Sequence, residues 1–333
     1  MRFSTRNASG QRGARLVVSG VLVCCLGVAC SNSGEPARQN AGPGRAATAR
    51  AATGRAATTS PTAAARSTAK PATTPGPNAT PTIKPEPDSR DATTLARGLD
   101  DAATTLRDNQ PTAAAAREAG EFQQLAVRNL VTSSADFRRT VIGQLDPRTA
   151  RDTRAQVRAS QALATISDPR FSLPKWRVVA PAPRDRLLHF YRDAQRRTGV
   201  DWTYLAAIQL IETRMGRIRG TSSAGAQGPM QFTRQTWQVY GDGGNINDNH
   251  DSILAAARLL KAYGAPADMD AALWHYNPAA GYVRAVDAYA QTMRTSVSAF
   301  DGYWQWQVIY SYQGKSFVLP VGYPGKPAVR LHG

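Results

Sequence analysis

The sequence predicts a mainly α-helical protein over about residues 93–300, closed by a small β-rich extension over 301–333. Three observations carry that expectation. Apolar residues recur at helical spacing in successive stretches from about residue 93 onward. Glycine and proline punctuate those stretches, as at Pro111, Pro147, Gly199 and Gly264. Beyond residue 301 the pattern changes to Trp, Tyr, Val and Phe, the residues favoured on a pleated surface.

Residues 1–30 read as an export leader. Arg2, Arg6, Arg12 and Arg15 make a basic start, and the apolar run Leu16 to Ala29 is short for a bilayer span. The run ends Gly27-Val28-Ala29-Cys30, which resembles a bacterial lipobox with glycine where leucine is usual. A lipidated Cys30, plain secretion and an uncleaved anchor are the three outcomes this leader allows. The lipidated form would hold the protein on the outer face of the cytoplasmic membrane. All three cysteines (Cys24, Cys25 and Cys30) lie in this leader. The rest of the chain therefore has no thiol chemistry and no disulfide, which excludes a cysteine peptidase.

Residues 31–92 are Ala, Thr, Pro, Arg and Gly with almost no large apolar side chains, the composition of a disordered tether. Residues 93–170 turn helical. Leu95, Leu99 and Ala102, then Phe122, Leu125, Val127 and Leu130, then Phe137, Val141 and Leu145 predict three or four helices that bundle together or pack on the next region of the chain. Pro174, Pro181 and Pro183 mark the next boundary, and residues 171–300 read as one further helical domain. Within it we expect a helix from Arg184 to about Arg197 with Leu187, Leu188, Tyr191 and Ala194 on one side. A helix ending at Glu212 comes next, then a short one over Thr233 to Tyr240 with Trp237 inward. Asp251 reads as the N-cap of a helix over Ser252 to Tyr263. Ala271 to Trp274 leads into Tyr276-Asn277, and Gly281 to Met293 reads as the final helix. Tyr303 to Tyr312 and Ser316 to Val321 are the expected strands.

The formal net charge is +17. Residues 183–300 hold 13 basic and 10 acidic side chains, so most of the excess sits in the flanks. Nucleic-acid binding would want a basic face on a folded module, and none is visible. Loose attraction to anionic lipid headgroups or wall polymers fits better.

Glu212 is the residue that points to chemistry. Leu205 and Ile208 precede it by seven and four positions, so all three share a helix face that is normally reserved for the core. A glutamate there is either paired or desolvated, and desolvation keeps a carboxyl protonated near neutral pH. Three segments occur in order: Ile211-Glu212-Thr213-Arg214-Met215-Gly216, then Ser223-Ala224-Gly225-Ala226-Gln227-Gly228-Pro229-Met230-Gln231-Phe232, then His275-Tyr276-Asn277-Pro278.

This ordered set resembles the motifs of soluble lytic transglycosylases with a goose-type-lysozyme-like catalytic domain. The flanks Leu173 to Pro181 and Tyr303 to Val308 look like exported actinobacterial members. Thr213, Pro229 and His275 stand where serine, leucine and alanine are more usual. The resemblance implies a lysozyme-like domain over 171–300 that cleaves the β-1,4 bond between N-acetylmuramic acid and N-acetylglucosamine. Glu212 would be the general acid and then the base. Tyr276 would hydrogen-bond near Glu212, while Gln231 and Asn277 hold the sugar. Met230, Gly228 and Ser223 line the site, and the Gly225–Gly228 loop lets backbone approach the glycan.

A conventional glycosidase needs a second carboxylate. The candidates Asp242, Asp248, Asp251, Asp268 and Asp270 read as caps or loop solvation, so a single-acid mechanism fits better. Asp242 to Asp248 lacks the ligand register of a calcium loop, and no metal or cofactor is expected. The expected partners are peptidoglycan strands and, through Cys30, the membrane, with the chain acting as a monomer. A muramidase using water and a glycan-binding wall protein with a degenerate site are the alternatives.

Overall fold

A computed structural model describes residues 91–108 and 110–331. The leader, Cys30 and nearly all of the expected tether lie outside the described residues. The described part is mainly helical, with few, short strands.

The first four helices are α1 (Ala92–Arg107), α2 (Ala113–Thr132), α3 (Ala135–Gln144) and α4 (Pro147–Ala164). Each begins on a side chain that accepts from the first turn: Asp91, Thr112, Ser134 and Asp146. Such caps satisfy donors that the helix itself leaves open. Leu95, Leu99, Leu130, Val141 and Leu145 meet in a core between these helices. Gly98 permits a close crossing, since a Cβ there would lie 2.2 Å from the Phe122 ring. The far end of α4 belongs elsewhere: Ala159, Ala162 and Leu163 enter the main core of the later helices. Both expected arrangements, a bundle and packing on the next region, therefore occur together.

A two-stranded antiparallel ribbon, β1 (Arg177–Val178) and β2 (Ile218–Arg219), brackets α5 (Arg184–Thr198) and α6 (Trp202–Thr213). The helices α7 (Arg234–Tyr240), α8 (Asn249–Ala262), α9 (Met269–Tyr276), α10 (Ala280–Thr295) and α11 (Val297–Gln305) come after them. An antiparallel sheet ends the described chain, in the order β3 (Val308–Tyr312), β4 (Lys315–Leu319), β5 (Val329–Leu331). Gln313 and Gly314 join β3 to β4 with φ of 49° and 72°, the positive pair that matches a two-residue hairpin to strand twist.

The helix α6 is packed by α5, α8 and α10. Every residue from Thr203 to Thr213 is buried. The expectation of one apolar face is thus corrected: neighbours cover α6 all round, as its run of Leu, Ile and Ala allows.

Three boundaries also differ from expectation. The cap of α8 is Asp248, which accepts from the N–H groups of His250 and Asp251, so the helix starts earlier. Asp251 instead accepts from Asn245 N–H at 2.8 Å and braces the preceding turn. The helix α10 is not the last, because α11 succeeds it and takes in Tyr303. That tyrosine is buried against Tyr289 and Trp306, and helix packing overrode its strand propensity.

Candidate active site

Local sequence fixes the ends of α6. Asp201 accepts from the N–H and hydroxyl of Thr203 at its start. At its end Arg214, Met215 and Gly216 all adopt positive φ, of 52°, 58° and 76°. Two of these are not glycine, a conformation that costs each about 1–2 kcal/mol and needs support from its surroundings. The support is visible: Met215 is fully buried with the Tyr191 hydroxyl on its sulfur, and the Arg214 guanidinium lies over the Trp306 ring. Gly216 faces Asn249, whose Oδ1 would lie 2.9 Å from an added Cβ. One turn before Glu212, Gln209 is buried but satisfied, accepting from Tyr191 and donating to Asn249 Oδ1.

The residues Gly228-Pro229-Met230-Gln231 form a loop closed at its base by a reciprocal backbone pair between Gln227 and Phe232. Two successive carbonyls of this loop are held from outside. The Thr213 hydroxyl donates to Pro229 O at 2.6 Å, and the Tyr276 hydroxyl donates to Met230 O at 2.6 Å. The three sequence segments therefore interlock, one residue from the first and one from the third each gripping the second. The threonine at 213 serves as well as a serine because the contact needs only a hydroxyl.

Glu212 is 3 % exposed. Its Oε1 accepts from the Tyr282 hydroxyl at 2.8 Å. Burial pushes its pKa up to about 8, partly opposed by that hydrogen bond, so the carboxyl is mostly protonated at neutral pH. No acidic neighbour contributes to this shift, and Glu212 is the only buried acidic side chain among the described residues. Most of the other acids that the sequence offered as candidates are engaged elsewhere. Asp242 pairs with Arg258 at 2.7 Å, Asp248 caps α8 and Asp268 caps α9.

Tyr276 lies close enough to Glu212 to feel its charge, but the direct hydrogen bond to the carboxyl comes from another tyrosine. Tyr276 points its hydroxyl at Met230, and Tyr282 makes the contact to the carboxyl. The two tyrosine rings are nearly parallel, 7° apart with centroids at 6.3 Å. Tyr276 ends α9 and Tyr282 opens α10, so the turn between those helices places both beside α6. Gly281 lets α10 approach α4, because a Cβ there would lie 2.4 Å from Ala162 O. In sequence, Tyr282 carried only the signal of a tyrosine among apolar helix positions, which is also the pattern of an ordinary core residue.

Gln231 is buried with φ of 51°; its Nε2 donates to Gly228 O at 3.0 Å, and its Oε1 has no partner. Asn277 is buried and caps α9 through its backbone, leaving its amide side chain without a hydrogen bond to the described residues. The Met230 side chain is fully buried in the main core. Gly228 is held by the fold: a Cβ would lie 1.9 Å from Ile246 O, so its close backbone approach is to that carbonyl. Gly225 has open space around it, and Ser223 is exposed while Ser222 organises the turn by accepting from Ala226 N–H.

No family model matches the chain, and comparison with curated proteins and with solved structures found no similar one.

Proposed function

We propose that this chain is a peptidoglycan lytic transglycosylase with a lysozyme-like catalytic domain, and that Glu212 acts as both acid and base. A single observation carries the reading: a buried carboxyl, hydrogen-bonded by a tyrosine, is the only acidic side chain buried among the described residues. The ordered motifs that interlock around it support the same conclusion.

Glu212 gives its proton to the glycosidic oxygen between N-acetylmuramic acid and N-acetylglucosamine, and the C1–O bond breaks. The substrate's own acetamido group stabilises the charge that develops at C1. The Glu212 carboxylate then takes the proton of the muramic C6 hydroxyl, and O6 closes on C1 as a 1,6-anhydro ring. Water is not consumed, and these transfers need no cofactor or metal. The Tyr282 hydroxyl steadies the carboxylate between the two steps. The unused Oε1 of Gln231 and amide of Asn277 are the groups that would hold sugar and acetamide. Export and lipidation at Cys30 would place the enzyme at its substrate.

Mass spectrometry of the material released from purified cell wall tests the reading. The expected products carry anhydromuramic ends, and Glu212→Gln should release none. Ordinary reducing ends alone would mean a muramidase that uses water. Binding to wall without release, in wild type and variant alike, would mean a glycan-binding protein.

A further inference from the structure

The β1–β2 ribbon holds two arginines directly opposite one another, Arg177 and Arg219. Val178 and Ile218 turn into the small core shared with β3 and β4, so alternation sends both arginines to the opposite face. Like charges in that relation repel. Arg219 is half-buried, and its Nη1 donates to Asn247 O at 3.0 Å. Arg177 is exposed and makes no side-chain hydrogen bond or ion pair among the described residues. Burial, and after it the Arg177 charge, lowers the pKa of Arg219, while the Asp248 carboxylate opposes the shift without cancelling it. One guanidinium is thus fixed in place and the other is free to close on a ligand.

The pair lies beside the loop of the candidate site. Gly220, next after Arg219, offers its carbonyl to Gln231 Nε2 at 3.5 Å. Asn247, which anchors Arg219, adjoins Ile246, the residue packed on Gly228. Trp176 fixes the ribbon here, 2.7 Å from where a Gly220 Cβ would be.

We propose that Arg177 and Arg219 form an anion subsite for a carboxylate of the peptide stems borne by peptidoglycan strands. The proposal rests on the function proposed above. Planar guanidinium forks match carboxylates in geometry as well as charge, and a bound anion would neutralise the repulsion. A membrane surface is the weaker occupant, because it calls for a broader basic cluster than two arginines.

Two arms test this with the full-length chain. The first measures calorimetric binding of a synthetic stem tetrapeptide with free carboxylates and of its fully amidated counterpart. Wild type should bind the free acid about tenfold more tightly, and Arg177→Gln should abolish the difference. Equal affinities in wild type, or a difference that survives the substitution, would overturn the subsite. So would loss of binding to phosphatidylglycerol vesicles in Arg177→Gln with no peptide difference, which would mark a lipid contact. The second arm compares kcat/KM on strands bearing stems with strands stripped of them. The ratio should fall about tenfold in Arg177→Gln, and an unchanged ratio counts against the subsite. If wild type cleaves neither strand, the transglycosylase reading fails by itself, and the peptide arm still decides this one.

Discussion

Glu212 and Tyr282 carry the predictions at the scale of single residues. Burial raises the Glu212 pKa to about 8, so the acid form that the proposed reaction needs is lost as pH climbs through that value. Activity should fall on the alkaline side with an apparent pKa near 8 in kcat/KM. The Tyr282 hydrogen bond favours the ionised carboxylate, so Tyr282→Phe should raise the Glu212 pKa further. Its alkaline limb is expected to move up by as much as about one pH unit, with a modest loss of rate. A limb moving down would refute the geometry. Linkage has a definite sign here. The folded pKa lies above the unfolded value, so the stability Glu212 contributes is greatest below the unfolded pKa and is lost as pH rises through about 8. Glu212→Gln should accordingly melt higher than wild type at pH 9, with a smaller gain at pH 5.

At the scale of elements, the Gly228–Gln231 loop is set by what surrounds it. Gly228→Ala combines positive φ with a Cβ 1.9 Å from a backbone carbonyl, and should cost about 3 kcal/mol or more. Gly225→Ala, also at positive φ but in open space, should cost only about 1 kcal/mol. Urea unfolding of the pair reads the difference. Thr213→Val removes the grip on Pro229 O and should cost about 1–3 kcal/mol, while Thr213→Ser should cost less. The motif spacing was legible in sequence, as were helix stops such as Gly199 and Gly264. That Tyr276 holds the loop and Tyr282 holds the acid was not, because the chain's return from α9 into α10 decides which hydroxyl faces which acceptor.

At the scale of the whole molecule, the first four helices are more than a separate appendage. The end of α4 supplies Ala159, Ala162 and Leu163 to the main core. Along α2, Gln124 donates to Gln307 O and accepts from Gln307 N–H, acting as a strand partner for the chain entering β3. Trp306 reaches Gln123 in the same seam, and its ring receives Arg214 from the end of α6. Deleting residues 91–166 should therefore leave an insoluble chain. Gln124→Leu, which strands two backbone groups, should cost about 2–4 kcal/mol in thermal unfolding. Both outcomes would fail if the two regions folded independently.

By itself the sequence determined the helical character, the strand-rich tail, the place of each motif, and the choice of Glu212 as the residue to watch. These derive from periodicity, from glycine and proline at boundaries, and from a carboxylate among apolar neighbours, all of which are local signals. Only the tertiary structure decided that α6 is buried all round, that Asp248 and not Asp251 caps α8, that Tyr303 is helical, and that Tyr282 is the partner of Glu212. All but the cap depend on residues far apart in the chain meeting in space; the cap is a choice between two aspartates three positions apart, settled by Asp251 turning back to Asn245. A local pattern can say that a side chain will be buried, but packing selects its hydrogen-bond partner.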